Sequence, residues 1–372
     1  MGKSRLTVDP EYERLPQEGA PEGEKLQERS LIRSFIPSSI GSLAEKAERV
    51  SFKTWLVVIL TICVILRVAI YFMPAPSIGP VSPGSMEKPV AHKHVPCDEE
   101  SMYPFDGPRE FLVDPAQFHT TSISVEGRVM HGFTTIRLAP DPTATHLNIT
   151  LNISINDDSL RNHVYISQSD STKDYALKVS VPQSLRPDYC VQVNMVIEVP
   201  TELMELRELV VNMPNSEIRV EDMSRVQFKT FIAFTMSGDA IVQNLKSEKI
   251  DVSSVNGRVE GSFITGGDLQ LASTNGEIAA EVYPVAGNDV HLSAESVNGD
   301  VHMNVPDAAY EGYFSMKTAL GQATVGVANG KERLHFDVNK PWMKSGYKKG
   351  PGVTRSEIQM QTTNGDVDLT FI

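Results

Sequence analysis

The sequence predicts an all-β protein: a body of repeated, stacked β-units, a β-sandwich-like entry region before it, and one helix of membrane-spanning length near the N-terminus. Three observations carry that reading. The first is a recurring word: Ser254-Val255-Asn256-Gly257-Arg258-Val259, Ser273-Thr274-Asn275-Gly276-Glu277-Ile278, Ser296-Val297-Asn298-Gly299-Asp300-Val301 and Thr362-Thr363-Asn364-Gly365-Asp366-Val367, with Thr235-Met236-Ser237-Gly238-Asp239-Ala240 as a looser copy. The second is its spacing. Glycines at 238, 257, 276 and 299 lie 19, 19 and 23 residues apart, Gly321 follows after 22, and Gly365 stands 44 beyond, two further steps. A period of this size, with one turn and two short apolar runs per unit, belongs to stacked β-units and not to an α/β catalytic domain. The third is the uninterrupted apolar run from Trp55 to Met73.

Taken in order, residues 1–54 are polar and rich in Glu, Pro and Ser, and read as a disordered cytoplasmic tail. The 19 residues 55–73 would rise about 28 Å as a helix, close to the hydrocarbon thickness of a bilayer. Arg67, near the far end, can snorkel to the interface. Lys46, Arg49 and Lys53 crowd the N-terminal flank, whereas Lys88 alone lies within fifteen residues beyond Met73. Positive-inside asymmetry then predicts a single-pass type II signal-anchor, with the N-terminus cytoplasmic and everything after the span extracellular or lumenal. Residues 74–97 read as a Pro-rich stalk.

From 98 to 200 the chain reads as strand after strand: Ile123 to Val129, Thr134 to Ala139, Leu147 to Ile155, His163 to Gln168, Tyr175 to Val181 and Val191 to Val199. Asn148 and Asn152 each head an Asn-Ile-Thr/Ser sequon. Both alternate with the apolar face of Leu147, Ile149, Leu151, Ile153 and Ile155, so both are candidate glycosylation acceptors on a solvated face. Of three cysteines, Cys63 falls in the span; Cys97 and Cys190 either pair in an oxidising compartment or stay as two thiols.

Residues 201–372 form the repeat body. Alternation buries Leu269, Leu271, Ile278, Ala280 and Val282 in one unit and Val290, Leu292, Val301, Met303 and Val305 in the next. The turn pairs Asn256-Gly257, Asn275-Gly276, Asn298-Gly299 and Asn364-Gly365 are expected to use the tolerance of Asn and Gly for positive φ. Either a meander of hairpins or a solenoid with one coil per unit satisfies the period. Near 339–352 the register is interrupted by a segment that reads as a long loop, with Trp342 and Tyr347 as candidate binding residues.

The recurring T/S-x-N-G-D/E-I/V-x-L/V unit, seen at Ser273 to Ala280, Ser296 to Met303 and Thr362 to Leu369, resembles the putative adhesin domain family of bacterial envelope and fungal membrane-anchored proteins. The resemblance covers roughly residues 190–372. It implies a β-solenoid-like body and an interaction role, and it brings no ligand and no catalytic residue.

Composition narrows the function classes. The formal net charge is −13, and residues 1–53 hold nine basic against nine acidic side chains, so the acidity lies beyond the span and disfavours nucleic acid as a partner. No nucleophile elbow, Walker loop or His-Glu-x-x-His motif is present, no cofactor is implied, and His92-Lys93-His94 has no further ligands at metal spacing. The acids after the turn glycines, Asp239, Glu277, Asp300 and Asp366, read as solvated turn residues; their steps are about twice the nine-residue calcium-roll period. The expectation is a membrane-tethered, non-catalytic β-repeat protein presenting a surface to a protein or glycan. The alternative is a carbohydrate-active β-helix using paired carboxylates, Asp289 with Glu295 or Asp300 with Glu311.

Overall fold

A computed structural model of the chain describes residues 101–186, 188–203, 205–328, 334–349 and 355–372. The chain divides into two units, Met1–Val90 and Ala91–Ile372, and the described residues all belong to the second. The tail, the predicted span Trp55–Met73, the stalk, His92, His94 and Cys97 lie outside them. Among the described residues no helix is long and apolar enough to cross a membrane.

Pairing direction decides between the two arrangements that periodicity leaves open. Repeat strands bond in parallel to the equivalent strand one unit away, not across a hairpin, so the units are coils. One hydrogen-bonded network of 22 strands resolves into two parallel ladders. The first runs, in space, β7 (Asp174–Ser180), β3 (Thr120–Glu126), β9 (Glu205–Met213), β11 (Gln227–Ser237), the C-terminal parts of β12 (Ala240–Asn256) and β13 (Val259–Asn275), β15 (His291–Asn298), β21 (Glu357–Asn364) and β17 (Gly312–Leu320). The second runs β8 (Val191–Val199), β4 (Gly132–Leu138), β10 (Ser216–Val220), the N-terminal parts of β12 and β13, β14 (Ile278–Pro284), β16 (Val301–Val305), β22 (Val367–Phe371) and β18 (Ala323–Val327). The two orders agree rung for rung. Each coil crosses from the first ladder to the second at one corner, and the inward rows of both ladders fuse into a single apolar core. The ten core positions expected from alternation in the two central units are all buried.

Three expectations need correction. The segment 98–200 is not a separate sandwich: β3, β4, β7 and β8 are rungs of the same ladders, lacking only the Asn-Gly word. The long loop near 339–352 is in part a hairpin, β19 (Leu334–Lys340) with β20 (Met343–Lys348), laid antiparallel on β17. The 44-residue step is not two successive coils, because the coil of β17 and β18 precedes that of β21 and β22 in sequence yet sits outside it. The opposite end is inverted in the same sense, with the β7 and β8 coil outside that of β3 and β4. There β5 (Leu147–Ile155) and β6 (Tyr165–Asp170) cover the last strands antiparallel, and β1 (Tyr103–Pro104) and β2 (Glu110–Val113) pair with β5. Such terminal units keep a stacked array from exposing bare edges. At the hairpin end, fully buried Lys348 pairs with Asp307 at 2.7 Å, donates to the Tyr310 carbonyl at 3.1 Å and lies over the Phe371 ring.

The corner explains the repeated word residue by residue. A Cβ built on Gly276 would lie 2.1 Å from the carbonyl oxygen of Gly257, and one on Gly257 would lie 2.0 Å from that of Gly238. Glycine is therefore required because successive corners stack backbone against backbone. The corner asparagines do not use positive φ, which among described non-glycine residues occurs at Asn244 and Lys349. Instead they hold one another: the amide of Asn275 donates to Asn256 at 2.8 Å, Asn298 to Asn275 at 2.8 Å and Asn364 to Asn298 at 2.6 Å. Three residues before each glycine, the buried hydroxyl donates to the corner carbonyl of the preceding rung, Ser254 to Gly238, Ser273 to Gly257, Ser296 to Gly276 and Thr362 to Gly299, at 2.9–3.0 Å.

Gly276→Ala should accordingly destabilise the fold by about 1–3 kcal/mol, the usual range for overpacking a tight site. Gly326→Ala, where an added Cβ meets nothing within 4 Å, should leave the denaturation midpoint unchanged. Chemical denaturation of the two variants checks the contrast.

Candidate functional site

The acids that follow the corner glycines face the next rung's backbone. Asp239 accepts from the Arg258 amide at 2.9 Å and pairs with its guanidinium at 3.0 Å. Asp300 accepts from the Asp366 amide at 2.8 Å, and Asp366 from the Gln322 amide at 2.8 Å. Glu277 instead lies 3.8 Å from His302, whose other ring nitrogen is 3.0 Å from Asp368. Three of the four carboxylates are thus stitches between coils. Among the described residues no cluster of three His, Cys, Asp or Glu could hold a metal.

The structure does not bring the candidate carboxylate pairs together. Asp289, at the bend before β15, accepts from the Arg355 amide at 3.0 Å. Glu295 stands six residues on along an extended strand, about 20 Å away, whereas paired glycosidase carboxylates sit about 5–10 Å apart. Asp300 lies at the Asn-Gly corner and Glu311 at the opposite bend, just before β17, so a coil's width separates them.

Trp342 and Tyr347 do not share a loop either. Trp342 sits at the hairpin turn in register with Thr318, its carbonyl accepting from the Thr318 amide at 3.0 Å. Tyr347 is five positions on, inside β20, so one residue belongs to the turn and the other to a strand. What Tyr347 does share is a row. Register places His291, Glu357, Tyr313, Tyr347 and His335 side by side across β15, β21, β17, β20 and β19 on the outward face of the first ladder. Tyr313 and Tyr347 meet edge to face at 6.1 Å, and His335 stacks on Tyr347 at 4.5 Å. The next row on the same face is Ser293, Gln359, Ser315, Ser345 and Val338. Reading the chain linearly misses this platform, because its strands are not consecutive.

Elsewhere on that face Asp251 stands between Ile232 and Gln270 in register. Burial pushes its carboxyl above the usual range, and Lys249 draws it part of the way back. Of the sequon asparagines, Asn152 is exposed. Asn148 is half-buried, and its amide nitrogen donates to Glu198 at 3.1 Å. Cys190 is disulfide-bonded, and its partner lies outside the described residues.

The family model described as Toastrack DUF4097 matches residues 148–370. The chain belongs to the Toastrack DUF4097 family. The match takes in the β5 cap as well as the central coils, so the family's unit begins inside the region read from sequence as a separate entry. Solved structures similar to this Toastrack chain include a putative cell adhesion protein from Clostridium sporogenes, at 12% identity over 73% of this chain and 100% of that one, TM-score 0.33. A putative adhesin from Bacteroides fragilis matches at 13% identity over 73% and 97%, TM-score 0.33. A putative lipid binding protein from Parabacteroides distasonis matches at 12% identity over 72% and 96%, TM-score 0.28. No curated protein sequence matches the chain.

Two outcomes follow for the Toastrack domain. Adding millimolar Ca²⁺ or a chelator should not move its thermal midpoint, since three of the corner carboxylates are engaged by backbone amides; a clear rise with Ca²⁺ would contradict that. Asp251→Asn should raise the midpoint at neutral pH. A carboxyl whose folded pKa is raised binds its proton more tightly folded than unfolded, so its contribution is favourable below the ordinary carboxylate pKa and is lost as pH rises through the raised value. The gain over the parent should therefore shrink as pH falls toward about 4, read by melts across pH.

Proposed function

We propose that the Toastrack domain is a rigid, non-catalytic interaction surface, tethered outside the cytoplasm by the span predicted over Trp55–Met73. The observation that carries the interaction role is the use to which the chain puts its repeated polar residues. Hydroxyls, amides and most corner acids bond rung to rung, and the candidate carboxylate pairs are held apart. The chemistry-bearing residues build a scaffold, which leaves flat outward faces as the parts free to meet a partner. A protein or a glycan fits such a face; nucleic acid does not, given the chain's net charge of −13.

Export draws support from the charge flanks of the span, the exposed Asn152 and the disulfide at Cys190, a bond that persists in oxidising compartments. We assign its partner as Cys97. Tyr103 of β1 and Val191 of β8 both register with Ile155 of β5, which puts them about 10 Å apart. The chain entering β1 comes from the end of the sheet where Cys190 lies, and six residues of chain reach about 20 Å.

On sealed native vesicles, a tag after Ile372 should resist added protease until detergent is present. Peptide mapping without reductant should recover Cys97 joined to Cys190. Asn152→Gln should remove a glycan-sized mass, and Asn148→Gln should not. A tag digested on intact, cytoplasmic-side-out vesicles would overturn the export reading.

A further inference from the structure

We propose that the outward face of the first ladder at its hairpin end is a glycan-binding platform, with Tyr313, Tyr347 and His335 as its stacking row. The inference rests on the reading of the domain as an interaction surface and gives it a site and a ligand class: a neutral, linear polysaccharide lying across the strands.

Several features converge on that chemistry. The three rings stand in one register row on three adjacent strands, in edge-to-face and stacked contact at 6.1 Å and 4.5 Å. They are not core: Tyr313 is 42% exposed and His335 is exposed, whereas the neighbouring ring of Phe314 is buried and packs on Phe336. Tyr347 and His335 cover one face of each other, whereas the Tyr313 ring, turned 67° from Tyr347, can meet the C–H side of a sugar with its face; the strands already fix all three, so the entropic cost is small. Four of the five members of the adjoining row are hydroxyls or an amide, Ser293, Gln359, Ser315 and Ser345, each able to donate and accept, and Val338 ends it. Sugar hydroxyls need that mixture at their rims.

A protein partner would be better served by a patch with an apolar centre and a polar rim. This face is laid out otherwise: His291 and Glu357 continue the line of the three rings, and beside it run three serines and a glutamine, with Val338 alone apolar at the hairpin edge. The platform also depends on the hairpin β19 and β20, which the chain inserts between two coils; such insertions in repeat arrays map to one face and often carry binding. The inserted strands approach closely: a Cβ on Gly346 would lie 1.9 Å from the His335 carbonyl oxygen. That approach sets His335 on Tyr347. From β15 to β19 the face is five strands wide, about 19 Å, long enough for several sugar rings.

The test uses the full-length chain in detergent, titrated calorimetrically with hexasaccharides of β-1,4-glucose, β-1,3-glucose, β-1,4-N-acetylglucosamine and α-mannose. At least one should bind. Tyr313→Ala and His335→Ala should each weaken it by about tenfold or more, while Tyr313→Phe keeps most of the affinity and Phe234→Ala, on the same ladder several rungs away, leaves it unchanged. His335 is exposed on the edge strand, so its substitution reads binding even where Tyr313→Ala perturbs the sheet; thermal melts of each variant check folding. No binding at roughly millimolar sugar, or binding indifferent to both Tyr313→Ala and His335→Ala, overturns the inference. The sealed-vesicle result depends on none of these side chains, so the export reading stands or falls separately.

Discussion

The close stacking of one corner backbone on the next is the constraint from which the rest of this fold follows. With an added Cβ only 2.0–2.2 Å from the preceding corner carbonyl at Gly257, Gly276 and Gly299, the coils lie too near one another for any side chain at that point. The neighbouring positions are then determined by what such proximity leaves unsatisfied. Carbonyls of the lower rung need donors, and the serine or threonine three residues earlier supplies one. Side chains at the Asn position stand directly above one another, and an amide, with its donor and its acceptor on separate atoms, can donate to one neighbour and accept from the other in the same column. The amide nitrogen after the glycine needs an acceptor, and an aspartate of the adjacent rung supplies it. A word that looks like a turn signal is a stacking code.

The same constraint makes the ends of the array its weak points, and the chain order answers that. A coil stacked in strict sequence would leave its last rung held on one side only. Here the outermost coil at each end is laid down before or after its inner neighbour, so that the chain leaves the terminus and returns beneath it. At one end β5 and β6 cover the exposed strands; at the other the β19 and β20 hairpin does so, with Lys348 buried against Asp307. An ion pair in that position costs desolvation and is retained only with good geometry, and its placement beneath the hairpin locks the inserted element to the last coils.

How much of this was legible in the sequence depended on distance along the chain. Burial of Leu269, Leu271, Ile278 and their counterparts followed from alternation, which is a local property of a strand. The corners themselves were visible as a word, but conformational tolerance accounts for only Gly238 and Gly365, which take positive φ, whereas close approach holds at all five corner glycines, and the two causes leave the same letter. The entry strands β3, β4, β7 and β8 alternate as the others do, and without the Asn-Gly word nothing local marked them as rungs. Inversion of coil order at both ends was invisible for a stronger reason: period counts residues, and two coils exchanged in space keep their count. The row of Tyr313, Tyr347 and His335 is formed by three strands that are neighbours only because of that exchange and the inserted hairpin, whereas Trp342 and Tyr347, close in sequence, fall one in the hairpin turn and one inside a strand. The carboxylate pairs chosen by proximity failed in the same way, because six residues of extended strand span most of a coil.

A division of labour between inside, corner and outside has a consequence for where function can reside. Inward rows are fixed by packing into one core, where even a methylene is felt. Corner positions are fixed by rung-to-rung bonds, and altering one unbalances its neighbours above and below. Outward rows alone carry neither burden, so they can take residues that the scaffold would not choose. Asp251 shows the cost of such a choice, a carboxyl that burial on the sheet pushes above its ordinary pKa. The tyrosine and histidine row shows the benefit, with Tyr313 and His335 exposed to solvent on either side of a half-buried Tyr347. On a framework of this kind an outward residue that is unfavourable for folding is the signature to look for, and the hairpin end is where such residues line up.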